Sequence, residues 1–524
     1  MKAFLYRKKI GYISLILSVL SVYVFKPLLG NAGLGYLAGT YLITLMIWFL
    51  LGDGTADVVS RLVRLRLSKG QKNAALDILS SSGVLIFIHA LLGAVLVGVL
   101  NYYFYDASLN LPKGRFLGFY LCIFFFFRMI NEYLTAYDLS ASNDKAVCIA
   151  VVLRPLLRLL SGYPFMMIMS ERGEKVGNLL MDEDYTFIYG VSGIFIAFCL
   201  AEFLIFVFLL IVRLGSNIRA SKSQSAYASN DSFGTVFINL WKRRLGNIIY
   251  GLSISGFLFS WIISSVSETG IGTALSIIIV PFTLSSFISL FCTASCETYW
   301  LGAFRRKEKG NSRAFFDYGI HIAVITSVFM ASFYSGVSKL YLKLMLPDII
   351  DSFPAELILA VISSVLFSVS AFSDRLCAAR DDRIPRIISA LVSGVLGILS
   401  VKLCLSTGMS SLRALSISIL IYSISEIIIW YITTYFRMNL VYDPLRNILI
   451  PVISGAVMAI LILLFTNFAS AHLGNLFTLL ISIPISLVVY NAILLFLKNY
   501  SEAEINLMPF GNIILSLGQI LRVM

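Results

Sequence analysis

Fourteen apolar stretches follow one another along the chain, at about 10–29, 35–59, 76–104, 115–138, 146–169, 185–212, 244–265, 271–295, 315–342, 355–379, 384–405, 411–436, 446–468 and 474–497. Each is close to or above the roughly 20 residues that a helix needs to cross a bilayer. This succession constrains the fold more than any other feature. In hydrocarbon every backbone N–H and C=O must be paired within its own segment, so each run must be a helix. Composition agrees: of 524 residues 58% are hydrophobic and 13% charged, against about 25% charged in a soluble domain. The longest gaps, 213–243 and 298–314, are too short for a separate soluble domain. The expected fold is all-α and polytopic. The opening MKAFLYRKKIGYISLILSVLSVYVF has the basic start and apolar run of a signal peptide. It has no small-residue cleavage site before Lys26-Pro27, so a retained first span is expected. The seven cysteines form no CxxC pair, and Cys292 and Cys296, one helical turn apart, have no nearby histidine to complete a metal site.

The net charge of +13 is a matter of topology. With the N-terminus placed in the cytoplasm and sides alternated, 29 of the 41 Lys and Arg fall in cytoplasmic segments, 8 in outer loops and 4 inside spans (Lys26, Arg128, Arg154, Arg158). This is the positive-inside bias. It predicts an even number of spans, with both termini on the cytoplasmic side. The basic excess then faces anionic headgroups, and the loops lack the interleaved aromatics of a nucleic-acid surface.

The chain also repeats itself. GLGYLAGTYLI (33–43) matches GIGTALSIIIV (270–280) at an offset of 237, and RLSKGQKNAA (66–75) matches RKEKGNSRAF (306–315) at 240. LSASNDKAVCIAVVL (139–153) matches LCAARDDRIPRIISAL (376–391) at about 238, and AEFLIFVFLLIVR (201–213) matches SEIIIWYITTYFR (425–437) at 224. The drop in offset is about the length of the acidic stretch SERGEKVGNLLMDEDY (170–185), which has no second copy. Two six-span lobes are expected, 1–212 and 244–437, joined by a cytoplasmic linker 213–243 and followed by spans 13 and 14 with a cytoplasmic tail (438–524). An even number of spans per repeat relates the lobes by a pseudo-two-fold along the membrane normal, as in many transporters.

Two six-helix bundles plus two extra helices resemble the polysaccharide-transport branch of the multidrug/oligosaccharidyl-lipid/polysaccharide (MOP) exporter superfamily, similar to sporulation stage V and lipid II flippase-like proteins. The local wording that carries this is GNAGLGYLAGTYLITLMIWFLLGDGTADVVSRLVRLRLSKGQKNAA (30–75) and its echo at 267–315. It has a Gly-x-Gly entry, an apolar helix, a small-residue stretch and a basic loop. Where relatives often have Gly-x-Pro, this chain reads Gly54-Thr55-Ala56-Asp57. The resemblance implies a flippase for an anionic lipid-linked oligosaccharide of the undecaprenyl-pyrophosphate type, serving cell-surface polysaccharide assembly by alternating access of the lobes. Its partners would be membrane lipids, the lipid-linked oligosaccharide and polysaccharide-assembly enzymes. No cofactor is expected; a proton or sodium gradient or the membrane potential would drive the cycle. The alternative is a multidrug/cation antiporter of the same superfamily, against which the absence of an acid from 10–29 argues. A membrane glycosyltransferase or ligase lacks the large catalytic outer loop it would need, and no Walker A loop or HExxH is present.

Charges at bilayer depth need a partner, a wet cavity or a ligand. Arg128 and Glu132 stand one turn apart in span 4, with Asn131 nearby, and form either a self-neutralising pair or a polar cavity wall. Arg154 and Arg158 in span 5 have no acid at helical spacing. They pair with Glu132 or Glu202 from another helix, or capture phosphate with their forked donors. Asp57, Arg61 and Arg64 share one narrow helical face and are expected at the cytoplasmic mouth of an anion-binding cavity. Lys242 and Arg243, which open span 7, and the repeat-matched acids Asp57/Glu297 and Glu202/Glu426 are candidates for gating or coupling. His89 is expected to be a packed, hydrogen-bonded histidine.

Overall fold

The computed structural model describes residues 2–107, 114–215, 233–265, 267–347, 353–380, 382–438 and 445–521. They form helices and no strand. In chain order these are α1 (Lys2–Leu51), α2 (Thr55–Ser68), α3 (Lys72–Ala107), α4 (Leu117–Ser140), α5 (Asp144–Leu180), α6 (Asp184–Gly215), α7 (Phe233–Ser265), α8 (Glu268–Ala274) and α9 (Val280–Arg305). There follow α10 (Lys309–Gly336), α11 (Ser338–Met345), α12 (Pro354–Ala379), α13 (Ile384–Ser406), α14 (Ser411–Met438), α15 (Ile450–Leu473), α16 (Asn475–Phe496), α17 (Glu502–Leu507) and α18 (Gly511–Ile520). Short π-helical turns at 275–279 and 445–449 lead into α9 and α15.

Thirteen helical stretches among the described residues are long and apolar enough to cross a membrane, which makes this a multi-pass membrane protein. The first of them, Leu5–Ser68, is 64 residues long. At 1.5 Å per residue it is about three bilayer cores in length, and it must bend. It does so at Gly30, whose φ of 59° and ψ of −167° break α1 three residues after Pro27. It bends again at Gly52-Asp53-Gly54, where Gly54 sits at φ 71°. The expected unbroken span 35–59 is therefore two helices: the apolar part ends at Leu51, and the charged stripe belongs to a separate helix, α2. The acidic stretch 170–185 is also mostly helix. α5 runs on to Leu180, and a turn with Met181 at φ 54° reverses the chain into α6. Most of the expected linker, 216–232, lies outside the described residues, while 233–243 is already the start of α7.

The described residues pack as two compact units, 21–272 and 1–20 with 273–524. In the first, α5 and α6 form the most extensive helix pair, α4 packs on α6, and α7 lies against α2 and α3. Small residues set these crossings, as is usual where lipid supplies no hydrophobic driving force. A methyl group on Gly193 would run into the Phe165 carbonyl oxygen, and one on Gly173 into that of Tyr185. The Gly-x-Gly motifs of the repeat meet in this unit. A methyl on Gly35 would strike the carbonyl oxygen of Glu268, and one on Gly272 that of Asn31. Adding 237 to 31 and 35 gives 268 and 272, so the repeat offset maps this contact onto itself. In the second unit, Tyr12 packs with Leu290, Ala294 and Ala371. Beside them Lys8 is ion-paired with Glu297 and Arg375 lies over the Tyr12 ring.

Candidate functional site

Three helices of the unit 21–272 bring five of the expected residues together at mid-span. α6 supplies Glu202, whose side chain has no solvent exposure. α5 supplies Arg154, with Nε 2.8 Å from Glu202 Oε1, and Arg158, with Nη2 2.6 Å from the same oxygen. α4 supplies Asn131, whose Nδ2 donates at 2.9 Å both to the Glu202 carboxylate and to its backbone carbonyl. Arg128, also on α4, stands 4.0 Å from Glu202 Oε2 and 3.4 Å from Glu132, one turn along. The helical period explains the grouping: Arg154/Arg158 and Arg128/Glu132 are i, i+4 neighbours, so each pair presents one face to α6.

The surroundings are aromatic. Arg128 stacks over Trp48 at 4.6 Å, and Arg158 lies over Phe124 at 5.1 Å and Phe198 at 4.8 Å. Tyr41 packs against both of those phenylalanines. Tyr41 and Trp48 are two turns apart on the second half of α1, so one helix face closes the side of the cluster. The rings attract the guanidinium groups electrostatically while keeping them from water.

Three guanidinium groups face two carboxylates, a surplus of one positive charge. Glu202 is sealed, whereas the side chains of Arg128, Arg154 and Arg158 keep 13–20% of their surface accessible. Arg128 Nη1 and Arg158 Nε are buried and make no hydrogen bond among the described residues. Glu202 is therefore the floor of the cluster and the partly accessible arginines its face.

The remaining expected residues lie elsewhere. Asp57, Arg61 and Arg64 share the exposed face of α2. Arg64 donates through Nε, at 2.9 Å, to the carbonyl of Leu139 at the end of α4, and stands 3.6 Å from Asp144 at the start of α5. It thus ties down the α4–α5 turn. Lys242 is exposed and Arg243 half-buried on α7. Their neighbour Arg244 is fully buried and clasps the α1–α2 bend, donating through Nε to the Asp53 carbonyl at 2.6 Å and through Nη2 to that of Leu50 at 3.2 Å. Asn247 adds a bond to the Asp53 carboxylate at 3.3 Å. In the other unit Glu297 is buried against Lys8, and Glu426 accepts from the hydroxyls of Ser370 at 3.1 Å and Tyr422 at 3.3 Å. The repeat-matched Glu202 and Glu426 thus have opposite settings, one among arginines and one among hydroxyls. His89 is buried edge-on to Trp241, with ring centroids 5.8 Å apart; it is packed as expected, but its Nδ1 makes no hydrogen bond among the described residues. Sequence reasoning did not single out Tyr41, Trp48, Phe124 or Phe198, because in a chain with 13% aromatics nothing local marks the ones that face a cation.

No family model matches the chain, and no curated protein matches it. Solved structures do. The chain is similar to a multidrug resistance MATE family transporter of the MOP superfamily in an inward-facing conformation: 14% identity, TM-score 0.60, 83% of this chain and 94% of that one covered. It is similar to a eukaryotic MATE transporter, with 12% identity, TM-score 0.59 and coverage of 82% and 94%. It is also similar to a MOP superfamily transporter from Pyrococcus furiosus described by a binding pocket of reversed polarity that suggests a different function, with 15% identity, TM-score 0.57 and coverage of 83% and 95%. The chain shares the polytopic helical fold of these transporters.

Proposed function

We propose that this protein is a membrane exporter of amphipathic cargo, working by alternating access of its two sequence-related halves, 1–212 and 244–437. The structural likeness supports the multidrug-antiporter reading better than the lipid-linked oligosaccharide reading, since the matched structures include multidrug resistance transporters. The observation that bears on cargo is the cluster of Arg128, Arg154 and Arg158, partly accessible over the sealed Glu202 and beside an aromatic wall. A cationic, aromatic-lined face suits an amphiphile with an anionic head. The Pyrococcus furiosus transporter, with its reversed pocket polarity, is a neighbour in keeping with such a departure. In this reading Glu202 is an internal counter-ion that the cargo's anion partly replaces, sparing the arginines the cost of standing unpaired in low dielectric.

A second reading keeps the undecaprenyl-pyrophosphate-linked oligosaccharide as cargo. It is favoured by the paired forks of Arg154 and Arg158, which suit phosphoryl oxygens. In either reading Asp57, Lys242, Arg243 and Glu297 would act at the cytoplasmic gate. Glu202 and Glu426 would respond to the coupling proton or sodium ion, or to the membrane potential.

The test is transport in proteoliposomes offered a cationic dye, an anionic amphiphilic dye and a labelled lipid-linked oligosaccharide. The first reading expects movement of the anionic dye and at least a tenfold loss in Arg154→Ala plus Arg158→Ala. Movement of the oligosaccharide alone selects the second reading. Movement of the cationic dye alone, indifferent to the two arginines, removes the anion-binding role.

A further inference from the structure

The last described helix, α18, presents three sectors. Gly511, Ile514 and Gly518 are buried, and the helix packs on α16 and α17. Asn512, Ser516 and Gln519 form an exposed polar sector. Between these lies an apolar sector: Ile513 and Ile520 are 59% and 77% exposed, Leu517 is half-buried, and Phe510, at the head of the helix, is 72% exposed. At 100° per residue, positions 510, 513, 517 and 520 fall within about 80° of one another. Phe510 has φ 67°, a left-handed conformation unusual for a bulky residue. The fold therefore holds this ring outward against a local backbone cost.

The segment is firmly seated. Glu504, just upstream, is buried and receives His321 Nδ1–H at 3.0 Å and Arg446 Nη2 at 2.7 Å. Its backbone N–H and carboxylate complete a capping box with Ser501. On the other edge of the imidazole, Asn499 Nδ2 donates to His321 Nε2 at 2.9 Å. The two bonds together assign the proton to Nδ1. An apolar stripe on a helix fixed in this way is a presented surface.

We infer that the 510–513–517–520 stripe of α18 rests in the lipid bilayer at its interface, as an amphipathic in-plane helix that seats the end of the chain on the membrane. Two further observations select lipid as the occupant. In sequence the stripe follows the exposed apolar face of the membrane-crossing helix α16 (Leu480, Ile483 and Leu487) and the exposed Phe496 and Leu497. The segment that seats the helix also carries basic side chains: Lys498 is exposed, and Arg446, bonded to Glu504, keeps 41% of its side chain exposed. Such groups suit anionic headgroups beside a buried apolar face. The polar sector then faces water.

This inference is independent of the cargo. It is tested with the full chain in nanodiscs of brominated or ordinary lipid. A tryptophan is placed at Phe510→Trp or, on the polar sector, at Asn512→Trp, and its fluorescence is taken as the difference from the unsubstituted protein. Bromolipid should quench the Phe510→Trp signal at least threefold more than the Asn512→Trp signal, with acrylamide giving the reverse order. Ile513→Trp and Ile520→Trp report the same sector should Phe510→Trp not fold. Equal bromolipid quenching in the two sectors overturns the assignment. So does protection of the stripe from both quenchers, which would mean that a second copy or another protein covers it.

Discussion

At the scale of the residue, Glu202 governs the candidate site. A fully buried carboxylate shared by two close arginines and an asparagine is costly to disturb from one side only, about 3–5 kcal/mol for removal of a partner from a buried pair. Glu202→Ala should therefore destabilise the protein strongly in detergent thermal unfolding. Adding Arg158→Ala should cost less than the sum of the two single changes, because it removes one of the stranded charges. Additive losses would mean that the residues are not coupled. Glu504 gives a test with a pH sign. Burial works to raise the pKa of its carboxyl, but the bonds from His321, Ser501 and Arg446 outweigh burial and hold it below the ordinary carboxylate value. A depressed folded-state pKa adds stability above the unfolded value, about 4.3, and that stability is lost as pH falls through the folded value. Glu504→Gln should thus melt earlier than the parent at pH 7, by about 1–3 kcal/mol, and the gap should close below about pH 4. A gap constant from pH 7 to pH 4 would contradict the ionised role.

At the scale of the element, the α1–α2 bend is the point where a charged helix is set apart from an apolar one. Gly54 supplies a left-handed residue, and the buried Arg244 holds the Leu50 and Asp53 carbonyls that the helix end leaves unpaired. Gly54→Val should cost about 1–2 kcal/mol from backbone strain alone, beyond any clash with Asn247, read as a lower melting temperature. Arg244→Ala should cost more, because it also leaves buried carbonyls without donors. The apolar runs, the charge bias and the i, i+4 pairs were readable from sequence because they depend on one helix and its solvent. The helical stripe of Asp57, Arg61 and Arg64 was readable too, but its place was not. Arg64 reaches Leu139, 75 residues away, and only tertiary packing brings that carbonyl within range. Arg154 and Arg158 likewise showed no acid at helical spacing, since their partner comes from α6. Arg244 was visible only as one of three consecutive basic residues, and nothing local told it from its exposed neighbour Lys242.

At the scale of the whole molecule, two compact units carry different chemistry at matched positions, arginines around Glu202 and hydroxyls around Glu426. The repeat offset pairs these positions in sequence, while their polar surroundings differ. The expected outcome is asymmetric: Glu426→Gln should be tolerated in melting experiments far better than Glu202→Gln, since a neutral amide can still bond the hydroxyls of Ser370 and Tyr422. Equal destabilisation would remove that distinction.

The meeting of Gly35 with Glu268 and of Gly272 with Asn31 is a single contact written twice. An interface of this kind behaves like the joint of a homodimer fused into one chain. In a joint between identical copies a substitution would strike both sides at once, whereas in this chain each side mutates alone. A methyl on either glycine already pushes the same two backbones apart, so a second methyl enters space that the first has opened. Gly35→Ala and Gly272→Ala should each destabilise the protein, and together should cost clearly less than their sum. Additive losses would mean that the two glycines do not share one contact.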